Sequence, residues 1–598
     1  MENCHTLLCA YPKDLDSQWD KVAYSQVGQL SYTFKEVEEK VLQFCDYLKN
    51  IASIQPSARI GLWIKRDINS PIIMLSLLRL GYPMVILNPE SPKRVMEDKI
   101  HRLGIDYIIC NQDSIPEIPL GVKNLIHFPT VISSLKVASF QLPPPIEGNE
   151  VAVIMFTSGS TGNPKGVFIP HKALSNRFSW MWECYPFAID EIIAQKTSLN
   201  FVDSLWEILG GFLRGVPTFI LEDEYLYDTD VALQAFIEKG ITRLTMTPTY
   251  LTLLLEKEDF NHLKFPSLRF LFSSGEPLHQ TIAKKFKTLF PQVKLINLYG
   301  STEVAADVTF HEYDETKDLG PSIPMGTVIP NNRILLLNDF QEDAQNEIGE
   351  LYIIGDNLAL GYDDPLETDK RFTITTEGAR LFKTGDLCKI EDGLLYYMGR
   401  KDRQVKINGI RIEPAEIENI LMEIESVEKV IVVSMCGQSN FSSLVVFIKT
   451  SKPHPIMFYQ DYLRDRLDPH KMPHQFLILK EFPKTVTGKV DVKMLEKGFI
   501  KQNYLETTNS ATQSIEEVLL CIWQSILHNN TITIHDNLFE QGTKSLAAMR
   551  ALSQIRKQLN IKSLNIKDIF NFSSISQLAK RISNDSEYLA TCNIDLHK

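Results

Sequence analysis

The stretch Phe156-Thr157-Ser158-Gly159-Ser160-Thr161-Gly162-Asn163-Pro164-Lys165-Gly166 holds three glycines, four hydroxyls and one lysine. It directly follows the apolar, β-branched run Val151-Ala152-Val153-Ile154-Met155, which reads as a buried strand. Glycines let a backbone approach a ligand closely, hydroxyls and N–H groups donate, and a lysine neutralises. A loop of that composition at the end of a strand can wrap a polyphosphate. The spacing is not GxxxxGK[ST], so it is not a Walker loop.

Four further stretches follow in fixed order: Asn297-Leu298-Tyr299-Gly300-Ser301-Thr302-Glu303; Lys383-Thr384-Gly385-Asp386; Gly399-Arg400-Lys401-Asp402-Arg403-Gln404-Val405-Lys406-Ile407-Asn408-Gly409; and Pro483-Lys484-Thr485-Val486-Thr487-Gly488-Lys489-Val490-Asp491. With the first loop they resemble the motif series of the adenylate-forming superfamily: acyl-CoA synthetases, luciferases and the adenylation domains of non-ribosomal peptide synthetases. The resemblance covers about residues 10–500. It implies an acyl adenylation, in which a carboxylate attacks the α-phosphate of ATP. Two anions meet in that step, so cations and a positioned metal are needed at the reacting centre.

Each motif then has an expected role. Thr157, Ser158, Gly159, Ser160, Thr161, Gly162 and Lys165 would hold the phosphates. Glu303 would ligate Mg²⁺, a hard ion that takes oxygen ligands, with Thr302 beside it. Lys489 would bridge the substrate carboxylate and the transferring phosphate as a point charge. Asp386 would accept the ribose hydroxyls with Arg400 nearby, and Tyr299 would offer a ring face to adenine. Gly275, Glu276, Pro277 and Gly300 complete the expected nucleotide contacts. By the same resemblance Asp402 is a hinge at which a small domain rotates. Rotation would exchange Lys489 for the Gly409 loop, so that one site runs adenylation and then thioester formation.

Farther on, Asp536-Asn537-Leu538-Phe539-Glu540-Gln541-Gly542-Thr543-Lys544-Ser545-Leu546 resembles the phosphopantetheine attachment motif of carrier domains, with Ser545 opening an apolar helix. Thr543 and Lys544 stand where Gly and then Asp, Asn or His usually precede that serine. The resemblance implies ATP, Mg²⁺ and 4′-phosphopantetheine as cofactors and a phosphopantetheinyl transferase as partner.

The same resemblance implies a substrate pocket. Adenylation domains for α-amino acids place a carboxylate directly after the aromatic residue matching Phe201. Here Val202 stands there and the acid comes one place later, as Asp203. A β-amino acid carries its nitrogen one C–C bond, about 1.5 Å, farther from its carboxylate. The aligned pocket is Val202, Asp203, Trp206, Thr245, Phe272, Ser274, Leu298, Ala306, Asp307 and Lys489, a set similar to those that activate β-alanine. Trp206 and Phe272 would shorten the pocket, and Asp203, with Asp307, would hold the ammonium. A helix N-cap is the competing reading of Asp203. The surrounding stretches also resemble the Ebony-type β-alanyl-amine synthetases of insects. Those enzymes continue into an amine-selecting domain, whereas the chain here stops soon after the carrier segment. Condensation with an amine is therefore expected from a downstream condensing enzyme, a longer product of the same gene, or unaided attack.

Elements must position these residues. From about residue 20 to 400, short β-branched runs such as Ile60-Gly61-Leu62-Trp63, Met84-Val85-Ile86 and Thr218-Phe219-Ile220 alternate with amphipathic helix-length segments. That texture predicts α/β architecture with largely parallel sheets, and Leu142-Pro143-Pro144-Pro145-Ile146 reads as a connector. A large adenylation subdomain (10–401) with packed sheets and flanking helices is expected, then a smaller α+β cap (402–500) and a polar linker (501–513). An all-α, four-helix-type carrier (514–585) and a tail (586–598) follow. Ser514 and Glu517 form a capping-box pattern ahead of Ile515, Val518, Leu519, Ile522, Trp523, Ile526 and Leu527, and a second stripe runs through Leu546, Met549, Leu552, Ile555 and Leu559.

Composition narrows the classes. The chain has 598 residues, 62 Lys+Arg against 74 Asp+Glu, 44% hydrophobic and 23% charged, which excludes wholesale disorder and collagen. An acidic balance of −12 argues against a nucleic-acid partner. Nine isolated cysteines, with no apolar run long enough to span a bilayer, point to a reduced, cytoplasmic protein without membrane or zinc; a monomer is expected. Two other readings compete. An acyl-CoA synthetase for a fatty or aryl acid would have to bury two pocket aspartates without compensation. An inactive binding protein would have no need of Lys489, Glu303 and Asp386 together.

Overall fold

The computed structural model describes residues 6–7, 18–55, 58–112, 122, 124–134, 146–159, 164–226, 228–255, 265–338, 347–375, 377–407, 409–436, 442–473, 475–483, 490–492, 494–496, 515–527, 532–539, 545–559, 561 and 563–583. The triple-proline connector, the linker, the Ser514 cap and the tail lie outside them. Two compact units are present: one of residues 1–159, 163–223 and 233–411, the other of 160–162, 224–232 and 412–598.

The first unit contains three sheets. A seven-stranded sheet runs in the order Gly361–Tyr362, Lys165–Pro170, Val151–Thr157, Met84–Ile86, Ile60–Trp63, Tyr107–Cys110, Asn124–His127. From Val151–Thr157 to Asn124–His127 its pairings are parallel. A nine-stranded sheet runs Thr327–Val328, Ala306–Glu312, Lys294–Ser301, Phe270–Ser273, Arg243–Met246, Ile193–Gln195, Thr218–Ile220, Val22–Gln26, Ser31–Thr33, parallel from Lys294–Ser301 through Val22–Gln26. The strands predicted from apolar runs are central in both, as expected of strands buried on two faces. Helices such as Ser70–Leu80, buried over nearly its whole length, cover them. One continuous apolar core joins strands and helices.

The third sheet departs from the predicted α/β alternation. Asn332–Leu337, Gly349–Gly355, Arg380–Glu391, Phe372–Ile374 and Leu394–Arg400 pair only antiparallel. The cause is local. Asp392 and Gly393, with φ of 50° and 77°, form a two-residue hairpin turn of the kind whose twist suits antiparallel strands.

In the second unit Val427–Cys436, Ser442–Thr450 and Gln475–Ile478 form a sheet, with the helices Pro414–Met422 and Ile456–Arg464. Lys471 pairs with Glu416 at 2.8 Å in its interior. The carrier segment is helical, as predicted: Ile515–Leu527, Ser545–Leu559, Ile566–Asn571 and Ile575–Ser583, around the fully buried Trp523. Among the described residues no helix is long and apolar enough to cross a membrane.

Candidate active site

The loop expected to hold phosphates leaves the strand Val151–Thr157 and returns on Lys165–Pro170, with Thr157 opposite Lys165. Residues 160–163, hence Ser160, Thr161 and Gly162, lie outside the described set, as does Lys489. The Thr157 hydroxyl is buried and makes no hydrogen bond to the described residues, so it remains available to a ligand. Ser158 donates to the Arg411 carbonyl at 2.7 Å, and Gly159 is buried beside it. The Lys165 ammonium lies 2.5 Å from Glu367, which also accepts from Lys370 at 2.5 Å. Its charge is thus balanced by a carboxylate that nothing in the loop's sequence announces.

The strand Lys294–Ser301 carries Leu298, Tyr299 and Gly300 into a short turn, Thr302–Val304, and the chain returns antiparallel as Ala306–Glu312. Gly300 sits at a register shift, where a Cβ would lie 1.5 Å from the Ala306 carbonyl oxygen. Ala305 and Ala306 take left-handed φ of 53° and 83°, a conformation that costs about 1–3 kcal/mol for each non-glycine residue. The tight return aims Glu303 inward, and it is completely buried. Its Oε1 accepts from the Tyr362 hydroxyl at 2.8 Å and from Arg411 Nη1 at 2.6 Å. Its Oε2 makes no hydrogen bond among the described residues. Burial pushes the Glu303 carboxyl up, but Arg411 and Tyr362 outweigh it and hold the group at about 2. Thr302 is half-buried next to it.

A second polar chain crosses the site. The Tyr299 hydroxyl donates to Asp386 Oδ2 at 2.5 Å, and Arg400 Nη1 meets Asp386 Oδ1 at 2.5 Å. Arg400 also grips Asp402 with two nitrogens, at 2.6 and 2.8 Å, and Arg371 adds a third contact at 3.2 Å. Asp402 therefore has a fixed place just after the strand Leu394–Arg400. Beyond it the hairpin of Val405–Ile407 and Ile410–Ile412 brings Gly409 against the Gly275 turn. The Gly409 N–H donates to Glu276 Oε1 at 2.7 Å, while Glu276 Oε2 accepts from Thr249. Gly409 has φ of 77°, and a Cβ there would press to 2.7 Å on Thr247. Lys406, its pKa lowered by burial, lies 5.9 Å from the Tyr299 ring centroid. Pro277 is exposed at the rim.

Of the expected pocket residues, Thr245, Phe272 and Leu298 lie on neighbouring parallel strands and Ser274 just after one, Ala306 and Asp307 lie on the antiparallel return strand, and Val202, Asp203 and Trp206 lie at the helix that follows Phe201. Thr245 and Phe272 are register partners, Ser274 follows Ser273, and Leu298 lies on the next strand. Val202, Trp206, Phe272, Leu298 and Ala306 are buried. Asp203 is the first residue of the helix Asp203–Leu209; Val202 holds the cap position, and no side chain caps the helix. Asp203 Oδ1 is buried without a hydrogen-bond partner. Burial, and then the neighbouring Asp307, push its carboxyl up to about 7, against the pull of Arg177. Asp307 differs. Its Oδ2 meets Arg177 Nη2 at 2.5 Å, and Ser274 donates to Oδ1 at 3.3 Å. Arg177, itself 2% exposed and set against the Trp180 and Trp206 rings, thus discharges the second aspartate. Sequence reasoning missed it, because its partner lies 130 residues away.

In the carrier segment Ser545 opens the helix Ser545–Leu559, preceded by the buried Leu538. Residues 540–544 lie outside the described set.

The chain matches the family profile "AMP-binding enzyme" over residues 13–363, "AMP-binding enzyme C-terminal domain" over 416–489 and "Phosphopantetheine attachment site" over 517–582. It is 30% identical over 545 residues to one of the plipastatin synthase proteins of Bacillus subtilis (strain 168), a match covering 89% of this chain and 21% of that protein. It is 29% identical over 551 residues to bacitracin synthase 1 of Bacillus licheniformis, covering 91% of this chain and 10% of that one. The chain therefore spans only about a fifth or less of the length of these relatives. Its fold is similar to that of holo-PA1221, an NRPS protein containing adenylation and PCP domains, with a TM-score of 0.83 over 98% of this chain and 97% of that one, at 21% identity. Because the first profile spans more than half of the residues, kinship is settled: this protein belongs to the AMP-binding enzyme family and carries a phosphopantetheine attachment segment on the same chain.

Proposed function

We propose that the amino acid activated is β-alanine, and that it is loaded on Ser545 for conjugation to an amine. One observation carries this reading: of the two pocket aspartates, Asp307 is neutralised by Arg177, while Asp203 has a buried oxygen with no partner. A buried carboxylate without a counter-ion is unfavourable unless a ligand supplies one. An ammonium group is the natural counter-ion. The displacement of the acid from position 202 to 203 matches an ammonium one carbon farther from the reacting carboxylate. A fatty or aryl acid would leave Asp203 unpaired.

In this reading the β-alanine carboxylate oxygen attacks the α-phosphorus of ATP, and pyrophosphate leaves. Thr157, Ser158, Lys165 and Lys489 would balance the phosphates, and Asp386 and Tyr299 would seat the nucleoside. Glu303 would hold Mg²⁺, which supplies charge neutralisation at the phosphates. Glu303 fits that ion: it is a hard, ionised oxygen donor with a free Oε2, and Mg²⁺ is commonly held by one or two carboxylates plus phosphate oxygens and water. Among the described residues no larger acidic cluster competes for it. Ser545 would carry phosphopantetheine, whose thiol would receive the acyl group as AMP leaves.

Losing one partner of a desolvated ion pair costs about 3–5 kcal/mol. Asp203→Ala should therefore lower β-alanine-dependent ATP–pyrophosphate exchange by about two to three and a half orders of magnitude. An unaffected rate would remove the assignment.

A further inference from the structure

The Glu303 carboxylate already has a cation in this structure. Arg411 Nη1 lies 2.6 Å from Oε1, in an ion pair whose acid is fully buried. Arg411 comes two residues after Gly409, on the return strand of the hairpin that lies against Glu276. The Arg411 backbone is tied down as well, because its carbonyl accepts from the phosphate-loop hydroxyl of Ser158 at 2.7 Å. The hairpin thus uses two groups, Glu303 and Ser158, that a metal–nucleotide complex would also require.

One carboxylate cannot neutralise a guanidinium and a divalent ion together. A +1 and a +2 charge a few Å apart in a buried site repel strongly. We propose that Arg411 is a positioning residue that takes the place of the divalent cation on Glu303, so that the hairpin carrying Lys406 and Gly409 docks only when the cation is off that carboxylate. Departure of the cation with pyrophosphate would then license docking of the hairpin for the second half-reaction, and a fresh metal–ATP complex would expel it. The bistable element is the hairpin, and the ligand with differential affinity is the cation. The inference holds whichever amino acid is activated.

The test uses the full chain and no amino acid, so its outcome is independent of the β-alanine reading. Mn²⁺ binding is titrated by electron paramagnetic resonance with α,β-methylene-ATP for the unaltered protein, Arg411→Lys and Arg411→Met. If Arg411 occupies Glu303 in more than nine-tenths of molecules, its removal raises the apparent Mn²⁺ affinity at least about tenfold. Arg411→Lys, which keeps the charge, should stay within about threefold of the unaltered chain. Hydrogen exchange of the 405–411 amides in the unaltered chain provides a readout that needs no variant. Protection should fall when Mg²⁺ is added with the analogue and persist with the analogue alone. Equal Mn²⁺ affinity in all three proteins, or amide protection indifferent to Mg²⁺, would overturn the proposal.

Discussion

At the scale of single residues, the proposed pocket turns on two aspartates of opposite condition. Asp203 is faced by Asp307 and Glu207, which disfavour its charge, and by Arg177 and Lys406, which favour it; Lys196, its own pKa lowered by burial, also lies in its field. Its carboxyl is pushed up to about 7, chiefly by burial. Pairing with an ammonium requires the ionised form. The KM for β-alanine should therefore rise as pH falls below about 7, approaching tenfold per unit, and Asp203→Asn should lose that slope; exchange assays between pH 5.5 and 8.5 would show it. Stability runs the other way. A carboxyl raised from 3.8 to about 7 favours the folded chain below 3.8 and loses that advantage as pH climbs through 7. Asp203→Asn should consequently raise the thermal midpoint more at pH 8 than at pH 5. The one-place shift of this acid is visible in the sequence. The pairing of Asp307 is not, because Arg177 sits in the largely buried helix His171–Cys184 and is joined to its partner, 130 residues away, only by the fold.

At the scale of elements, the return from Lys294–Ser301 into Ala306–Glu312 sets the direction of Glu303. Gly300 makes that return possible, since any Cβ would collide with backbone that cannot move away. Gly300→Ala should destabilise the adenylation domain by about 2–4 kcal/mol, read as an earlier denaturant transition; a shift below about 0.5 kcal/mol would contradict the geometry. The buried parallel strands were legible as continuous apolar runs. The antiparallel sheet of 332–400 was not. In Asn332–Leu337 burial alternates but the sequence does not, since Ile334 to Leu337 is a continuous apolar run, and the short helix Pro365–Arg371 between strands imitates α/β alternation. The Asp392-Gly393 pair was the local signal that could have corrected it. The Gly409 hairpin was legible as a motif, but its ties to Glu276, Ser158 and Glu303 depend on partners more than 100 residues away.

At the scale of the whole molecule, the AMP-binding and phosphopantetheine-attachment matches lie on one chain. That order was plain in the sequence, because each segment announces itself by a local signature. Incubation with a phosphopantetheinyl transferase and coenzyme A should add one phosphopantetheine to Ser545, seen by intact mass, despite Thr543 and Lys544 before it. Ser545→Ala should form no acyl thioester; a thioester surviving that change would place the carrier function elsewhere. In the proposed scheme an amine nucleophile consumes the β-alanyl thioester. Everything specific in that scheme rests on the identity of the acid. The most direct measurement is ATP–pyrophosphate exchange with β-alanine, L-alanine, glycine and a medium-chain fatty acid at equal concentration. A kcat/KM for β-alanine at least about tenfold above each competitor is the expected result, and an equal or higher value for either α-amino acid or for the fatty acid would contradict the account.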